Sequence, residues 1–361
     1  MLLDMKRFLI FALNLIFFLP VFSQQTKILT AEKHNEYGLV YTLPTTAFQI
    51  EITVVKETYI AGPYSKYSKI FTSDSQVISK DAINWNIETV KVYPYGVSND
   101  ENAYLMQLKP GSLTYIGVAE DGMLLSINKE PENNTLYPSD SKTIEGTPIT
   151  GKEFLEYVNE DFIAAQSSYK KAQLLAEEIM DIRDAKVSLT RGTAETMPTD
   201  GRQLEIMLAS LEKQEKALMN AFTGGSWKEK IVRTFSIIPK EEGKMIICKL
   251  NKSEGLIDEN SGNGEPIYAN ISIVEEAQLP IDSKGEEKKL PKDAVVYCIP
   301  GVGALNITYK NQSLFKKSYP MSQFGMVFGL NPSIFTDKKE PSYAVFDPTT
   351  GALKELSSIK D

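Results

Sequence analysis

Residues 161–224 constrain the fold of this chain most strongly, because they carry two long runs with helical spacing. In the first run, apolar residues recur at steps of three and four, which places them on one stripe of an α-helix. That stripe consists of Phe162, Ala165, Tyr169, Ala172, Ala176, Ile179, Ile182 and Leu189. Gly192 follows as a residue suited to end a helix. We therefore predict a long amphipathic helix that stops at this glycine.

The second run predicts a helix that begins at Asp200. Asp is a favourable N-cap, Gln203 lies three residues later, and Pro198 blocks a helix continuous with the first. The second stripe consists of Leu204, Leu208, Leu211, Leu218 and Phe222. Two helices with matching stripes and a short connection form an antiparallel hairpin, which needs another apolar surface to cover it.

The sequence on both sides of the helices alternates between apolar and polar residues, as β-strands do. Residues 24–128 and 225–361 are predicted as two β-rich domains. Residues 129–151 are rich in Pro, Asn, Ser and Thr, and residues 129–160 are predicted as a linker to the helical residues 161–224. The predicted fold class is α+β, with two β-rich domains flanking a central antiparallel helical hairpin.

Short segments of the two β-rich regions resemble each other. Residues 40–44 (VYTLP) resemble residues 296–300 (VYCIP), and residues 120–124 (EDGML) resemble residues 349–353 (TTGAL). These resemblances predict an internal duplication in which the order of segments is permuted. A chance similarity between strand–turn sequences is the alternative.

Residues 1–23 have the pattern of a secretory signal peptide. Lys6 and Arg7 precede an apolar run over residues 8–18, and Ser23 supplies a small residue at the exit. A membrane anchor is the alternative, but the run is short for a bilayer span. No later segment of the sequence is apolar enough to span a membrane. We therefore expect a periplasmic or otherwise exported protein with no transmembrane segment after cleavage.

The two cysteines, Cys248 and Cys298, both lie within apolar runs that resemble strands. An even number of cysteines permits a disulfide in an exported protein. Two buried free thiols are the alternative, because a chain of 361 residues does not need a covalent staple.

Composition excludes several functions. The net charge of −8 at pH 7 argues against a nucleic-acid partner, because such proteins cluster Lys and Arg on one face. His34 is the only histidine, which excludes catalysis and metal sites that depend on histidine. Motifs for phosphate loops or dinucleotides are missing, so the sequence predicts no cofactor, no metal and no catalytic residue. Carboxylate catalysis stays open, because glycoside hydrolysis needs only two Asp or Glu residues.

Arg183 and Glu215 are charged residues that lie near the two apolar stripes. Arg183 lies within one turn of Ile179 and Ile182, and Glu215 interrupts the second stripe. A partly buried arginine usually forms an ion pair or contacts an anion. We expect an Arg183–Glu215 ion pair that fixes the register of the two helices.

The chain also resembles a known family. The residues that carry the resemblance are 176–179, 182–184, 189–192, 198–201, Leu208, Leu211, Glu215, 217–218 and 222–224, with flanking residues 40–44, 323–325 and 346–353. Ala185-Lys186 departs from the family pattern, which has more polar, Arg-containing sequence there. The chain is thus similar to exported proteins of Bacteroidetes-type bacteria described only as a domain of unknown function. The resemblance implies export to the envelope of a Gram-negative cell, and it supplies no activity and no catalytic residues.

Three classes of function are compatible with these observations. The first is a non-catalytic envelope protein that binds an unknown envelope protein or a glycan, and the missing catalytic motifs favour it. The second is a carboxylate-dependent hydrolase of glycan or cell wall, and the third is a structural assembly subunit. We expect any binding surface to lie where the β-rich domains meet the helices.

Overall fold

The computed structural model describes most of the chain as a β-rich protein with three sheets. The described residues are 38–73, 76–106, 115–131, 139–291 and 293–359. The predicted signal peptide and His34 lie outside them. Within the described residues, no helix is both long and apolar enough to cross a membrane.

The first sheet has the strand order β2-β1-β6-β5. The long strand β1 (Leu39–Ile60) pairs antiparallel with β2 (Ala82–Met106) on one side and with β6 (Gly225–Ile237) on the other. Strand β5 (Ser141–Glu145) pairs with the outer side of β6. Alternating apolar residues of β1 face the interior, as its period of two predicts; these residues are Phe48, Ile50, Ile52 and Val54.

The second sheet has the strand order β11-β10-β9-β7-β8, and every pair in it is antiparallel. Its strands are β7 (Gly243–Asn251), β8 (Gly255–Asp258), β9 (Glu265–Glu275), β10 (Val295–Tyr309) and β11 (Gln312–Leu330). The third sheet has the order β13-β12-β4-β3. Its strands are β3 (Ile116–Val118), β4 (Leu124–Ile127), β12 (Ser342–Phe346) and β13 (Leu353–Ser358).

Two hydrophobic cores lie between these sheets. In the first core, Phe48 and Ile50 of the first sheet pack with Ile267, Leu305 and Ile307 of the second. The second core joins the start of β1 and the start of β10 to the third sheet; it includes Tyr41, Leu43, Val296, Ile127 and Phe346. Both β1 and β10 therefore run through both cores.

The helices form a third core at one end of the first sheet. They comprise α1 (Ser68–Phe71), α2 (Glu160–Ala164) and the long helices α3 (Ser168–Arg191) and α4 (Gly201–Thr223). In this core, side chains of α3 and α4 pack with Phe162 of α2 and with Tyr64, which follows β1. The residues of α3 and α4 include Leu175, Ile179, Leu218 and Phe222. The end of α4 is attached to the end of β1, because the Tyr64 N–H donates to the Ala221 carbonyl at 2.8 Å.

The ends of the long helices follow local signals in the sequence. Asp200 Oδ1 accepts a hydrogen bond from the Gln203 N–H at 2.8 Å and caps α4. Gly192 ends α3 with a φ of +70°, in the left-handed region that favours glycine. Helix α3 begins at Ser168, later than the predicted start, because Ser167 caps it by accepting from the Lys170 N–H at 3.1 Å.

The arrangement of the β-rich regions differs from the predicted two domains. Strand β6 follows the helices in sequence, yet it pairs with β1, and the first and second sheets share one core. The described parts of residues 24–128 and 225–361 are thus interleaved, and the helices lie at the end of one sheet. The predicted linker 129–160 contributes β5 to the first sheet. A period of two identifies strands, but the partner of each strand depends on which apolar faces can cover one another.

Two of the segments that resemble each other in sequence make matching contacts. The Thr42 N–H donates to the Gly122 carbonyl at 3.0 Å, and the Cys298 N–H donates to the Gly351 carbonyl at 3.0 Å. Each contact belongs to a parallel bridge, Thr42 with Met123 in one case and Cys298 with Ala352 in the other.

Candidate functional site

A cavity of about 490 Å³ lies where the β1–β2 hairpin meets the β10–β11 hairpin. Its lining residues are all uncharged: Leu43, Pro44, Asn102, Tyr104, Cys298, Ser322, Gln323, Gly325, Met326 and Val327. Segments 40–44 and 323–325, which are far apart in sequence, meet at this cavity. The location differs from the expected one at the helices, where a groove of about 580 Å³ separates the distal parts of α3 and α4.

Both hairpins contain a β-bulge beside the cavity. In the first hairpin, Thr42 pairs with Ala103 but Leu43 pairs with Asn99, so residues 100–102 are left out of the ladder. In the second, Ile299 pairs with Met326 but Gly301 pairs with Met321, so residues 322–325 are left out. Bulges bend a strand and change the direction of its side chains, and they are common beside functional sites.

Hydrogen bonds between Thr46 and the second bulge hold the two hairpins together. Gln323 Nε2 donates to the Thr46 carbonyl at 3.1 Å and to the Pro239 carbonyl at 2.9 Å. The Thr46 N–H lies 3.0 Å from Ser322 Oγ and 3.2 Å from Gln323 Oε1. Thr46 Oγ1 donates to the Thr349 carbonyl at 3.2 Å. The side chains of Ser322 and Gln323 are therefore used for hydrogen bonds within the protein, and other residues of the lining must bind a ligand.

Gly325 allows the second bulge to approach β10 closely. A Cβ atom at this position would lie 2.5 Å from the Ile299 carbonyl oxygen and 3.0 Å from Cys298 Sγ. Any side chain at Gly325 would force these strands apart, so the shape of the cavity floor depends on glycine at this position.

Asn102 and Tyr104 supply the polar groups that are open to a ligand. They lie two residues apart on β2, and both line the cavity. In the described part of the chain, neither the Asn102 amide nor the Tyr104 hydroxyl has a hydrogen-bond partner. Burial raises the pKa of Tyr104, and the nearby Cys298 thiol adds to the shift, so the hydroxyl stays protonated at neutral pH. Asn102 can donate and accept hydrogen bonds, and the Tyr104 hydroxyl can do both as well.

The two cysteines, predicted as a possible disulfide, are both buried free thiols. Cys248 belongs to the first core and Cys298 to the second, so the fold keeps them apart. Burial raises the pKa of each thiol to about 12. Since the thiolate is the reactive form, neither sulfur is a nucleophile at neutral pH.

The structure brings Arg183 and Glu215 together across the two long helices. Arg183 Nε lies 2.6 Å from Glu215 Oε1, and Lys186 Nζ lies 2.9 Å from Glu215 Oε2. Burial acts to raise the pKa of Glu215, but the hydrogen bonds from Arg183 and Lys186 outweigh it and lower this pKa. Lys186 was not predicted as a partner of Glu215, although it lies only three residues after Arg183, close enough to share the same helical face.

Glu229 is a buried charged residue that sequence reasoning also missed. Its carboxylate lies 2.6 Å from Lys142 Nζ and 2.9 Å from Lys56 Nζ. Hydrogen bonds from Lys142 and Lys56 hold the pKa of Glu229 below its ordinary value. The available signal was Lys56, which follows Phe48 to Val54 at even spacing and therefore continues the inward-facing side of β1.

Among the residues that the structure describes, the titratable groups with a shifted pKa can be compared with what carboxylate catalysis requires. In the described ranges, the carboxyl groups with a shifted pKa are all shifted downward: Glu57, Glu153, Glu215, Glu229, Asp337 and Glu355. A general acid for glycoside hydrolysis needs a raised pKa. Over the residues that the structure describes, no group of three or more His, Cys, Asp or Glu side chains is placed to hold a metal ion.

Comparison with known proteins gives a family but no activity. A family model described as a domain of unknown function, DUF4831, matches residues 37–354. Neither a curated protein nor a solved structure matches the chain. Because the family match spans both long hairpins, the helices and all three sheets, this chain belongs to the DUF4831 family of domains of unknown function.

Proposed function

We propose that this protein is a non-catalytic binding protein of the cell envelope, and that its ligand occupies the cavity between the two β-bulges. One observation carries this proposal. Asn102 and Tyr104 present hydrogen-bonding groups without protein partners to a cavity that is lined by uncharged residues. A concave site that combines apolar surface with a few unpartnered polar groups is typical of ligand binding.

The chemistry of the lining supports binding over catalysis. A general base or nucleophile works best when its pKa lies near the working pH. Burial raises the pKa of Cys298 to about 12, and it raises the pKa of Tyr104 as well. Neither group changes its protonation state near neutral pH, so the cavity offers fixed hydrogen bonds and apolar contact to a ligand.

The outer edge of the first sheet argues against the hypothesis that this protein is a structural assembly subunit. Strand β2 forms this edge over 25 residues. Its pairing with β1 skips Glu88, Pro94 lies within it, and the bulge at residues 100–102 interrupts it again. Bulges and proline are devices that prevent edge strands from pairing between molecules. The features of this edge are therefore more compatible with a ligand-binding protein than with an assembly in which the sheet continues from one molecule to the next.

The envelope location is proposed from the pattern of residues 1–23 and is tested by expression in a Gram-negative host. We expect the protein in the periplasmic fraction, with a mature N-terminus at or close to Gln24. Sequencing of the N-terminus checks this. A full-length chain in the cytoplasmic fraction would contradict export while leaving the cavity unaffected.

We also propose that the β1–β2 and β10–β11 hairpins descend from one duplicated unit. The matching contacts of Thr42 with Gly122 and of Cys298 with Gly351 support this. So does the presence of a bulge in each hairpin at a matching place. An experimental structure tests the idea by superposition of the two hairpins together with the turns at Gly122 and Gly351 that contact them. A failure of the bulges and these turns to superimpose would refute it.

A screen of ligand classes by thermal unfolding tests the binding function. A ligand that binds only the folded protein stabilises it by about 2.7 kcal/mol at a hundred times its dissociation constant. We expect compounds that stabilise the wild type to lose this effect in Asn102→Ala. Asn260→Ala is the matched control, since Asn260 is exposed in a turn next to β8. Equal stabilisation of all three proteins would place the ligand outside the cavity and overturn the proposal.

A further inference from the structure

We infer that the ligand of the cavity is an extended, uncharged peptide segment of another protein, which adds as a strand to the edge of β11. This inference rests on the proposed function and specifies its ligand. The segment that would receive the peptide is residues 325–330, which run from the second bulge to the end of β11.

The first support is the position of β11 at the edge of the second sheet. Residues 326–330 pair with β10 on one side. Among the described strands, none pairs with β11 on the other side. An edge strand presents a row of backbone N–H and C=O groups there, which is the template for β-strand addition. Because Met326 and Val327 also line the cavity, a peptide in the cavity lies against this edge.

The second support is the exposure of two consecutive apolar side chains. Met326 is 41% exposed and Val327 is 42% exposed. Successive residues of a strand point to opposite faces of the sheet, so apolar surface is left open on both faces of this edge. An added strand covers both faces with its own alternating side chains. A flat ligand such as a sugar ring covers only one.

The third support is the chemistry of the opposite wall. Asn102 can donate to a peptide carbonyl and accept from a peptide N–H, and the Tyr104 hydroxyl can do the same. No charged side chain is among the lining residues. A charged residue of the peptide would lose its hydration in this cavity without gaining a partner, so the cavity selects for uncharged segments.

The remainder of β11 is protected against strand addition. Lys316, Lys317 and Pro320 lie in its first half, and the bulge at residues 322–325 follows. Lysine, proline and bulges are the features that keep edge strands from pairing. These protective features end where the cavity begins. The part of the β11 edge that is open to strand addition is therefore residues 325–330.

The test uses the mature protein and arrays of synthetic peptides of about nine residues, long enough to form a strand. The peptides alternate Val or Tyr with Ser or Thr, and matched versions carry Asp or Lys at one central position. Cellulose and chitin oligosaccharides form a second arm. We expect the uncharged peptides to bind and to slow hydrogen exchange at backbone amides of residues 326–329. We expect the Asp and Lys versions to bind about tenfold more weakly, a difference of about 1.4 kcal/mol.

Two variants place a charge on the proposed edge, Val327→Lys and, independently, Met326→Lys. Each is expected to weaken peptide binding about tenfold, since an exposed lysine opposes strand addition. Met180→Lys is the control, because Met180 is 55% exposed on α3, away from the cavity. Circular dichroism spectra that match the wild type show that the variants fold. If one variant misfolds, the other still decides the outcome.

The possible failures are distinguishable. Binding of an oligosaccharide that is abolished by Asn102→Ala, with no peptide binding, overturns the peptide inference and keeps the proposed function. Peptide binding that leaves exchange at residues 326–329 unchanged also overturns the peptide inference. The third outcome is that neither the peptides nor the oligosaccharides bind, while a ligand of another class stabilises the wild type and Asn102→Ala equally. This outcome overturns the proposed function itself.

Discussion

The side chain of Gln323 pairs with the backbone of Thr46 as a neighbouring strand would. Its Nε2 donates to the Thr46 carbonyl at 3.1 Å, and its Oε1 accepts from the Thr46 N–H at 3.2 Å. One side-chain amide thus satisfies both backbone groups of a buried residue and ties the β1–β2 hairpin to the second sheet. This pairing forms one side of the candidate binding cavity.

Gln323→Ala is expected to destabilise the protein by about 2–3 kcal/mol, because it removes partners from buried backbone groups of Thr46 and Pro239. Urea denaturation measures the loss. Gln278→Ala, in an exposed position after β9, is the matched control and is expected to have almost no effect. Equal midpoints for the two variants would show that the Gln323 amide does not hold the hairpins together.

Glu215→Gln is expected to destabilise the helical core by about 0.5–1 kcal/mol, because it weakens the pairing with Arg183 and Lys186. The value is modest because the side chain of Arg183 is 44% exposed and solvent screens the pair. Glu212→Gln, on the exposed side of α4, is the control. The difference between the two variants should shrink in high salt. Unchanged melting of Glu215→Gln would contradict a role of the pair in stability.

Glu229 makes stability depend on pH in the acidic range. Its pKa in the folded protein lies below the ordinary value of 4.5, so the unfolded chain binds the proton more readily. The stabilisation by Lys56 and Lys142 is therefore complete above pH 4.5 and is lost as the pH falls through the lower folded pKa. The free energy of unfolding should thus fall less steeply below pH 4.5 in Glu229→Gln than in the wild type. Parallel curves from urea titrations at each pH would refute this.

The thiols of Cys248 and Cys298 are expected to resist alkylation in the folded protein. Both are buried, and burial raises the pKa of each to about 12. Iodoacetamide at about pH 8, near the ordinary thiol pKa, should leave the native mass unchanged and add two labels in urea. Labelling in urea that requires a reductant would show that the two residues form a disulfide. This result would contradict the assignment of both as free thiols.

Features that depend on neighbouring residues could be predicted from the sequence, whereas most contacts between residues far apart in the chain could not. Asp200 and Gly192 mark helix ends through contacts with residues a few positions away. The Arg183–Glu215 contact could be anticipated because two helices with matching stripes have few ways to pack. The side chain of Gln323 gave no such signal, since its partner Thr46 lies 277 residues away.

The observed fold differs from the prediction mainly in the expectation of two separate β-rich domains. Strand β6 alternates between apolar and polar residues, but nothing in this alternation shows that β1 is its neighbour. Pairing across a long stretch of chain is decided by which apolar faces fit together. The cavity was missed for the same reason, because each of its walls comes from a different hairpin.

Strands β1 and β10 each pass through both β-rich cores. Neither core can therefore melt without removing residues from the other, and the sheets should lose structure in a single cooperative transition. A fragment that contains only one of these strands would leave apolar faces and long edges uncovered, conditions that favour aggregation. Because of these interleaved strands, we expect that fragments which separate β1 from β10 do not fold on their own.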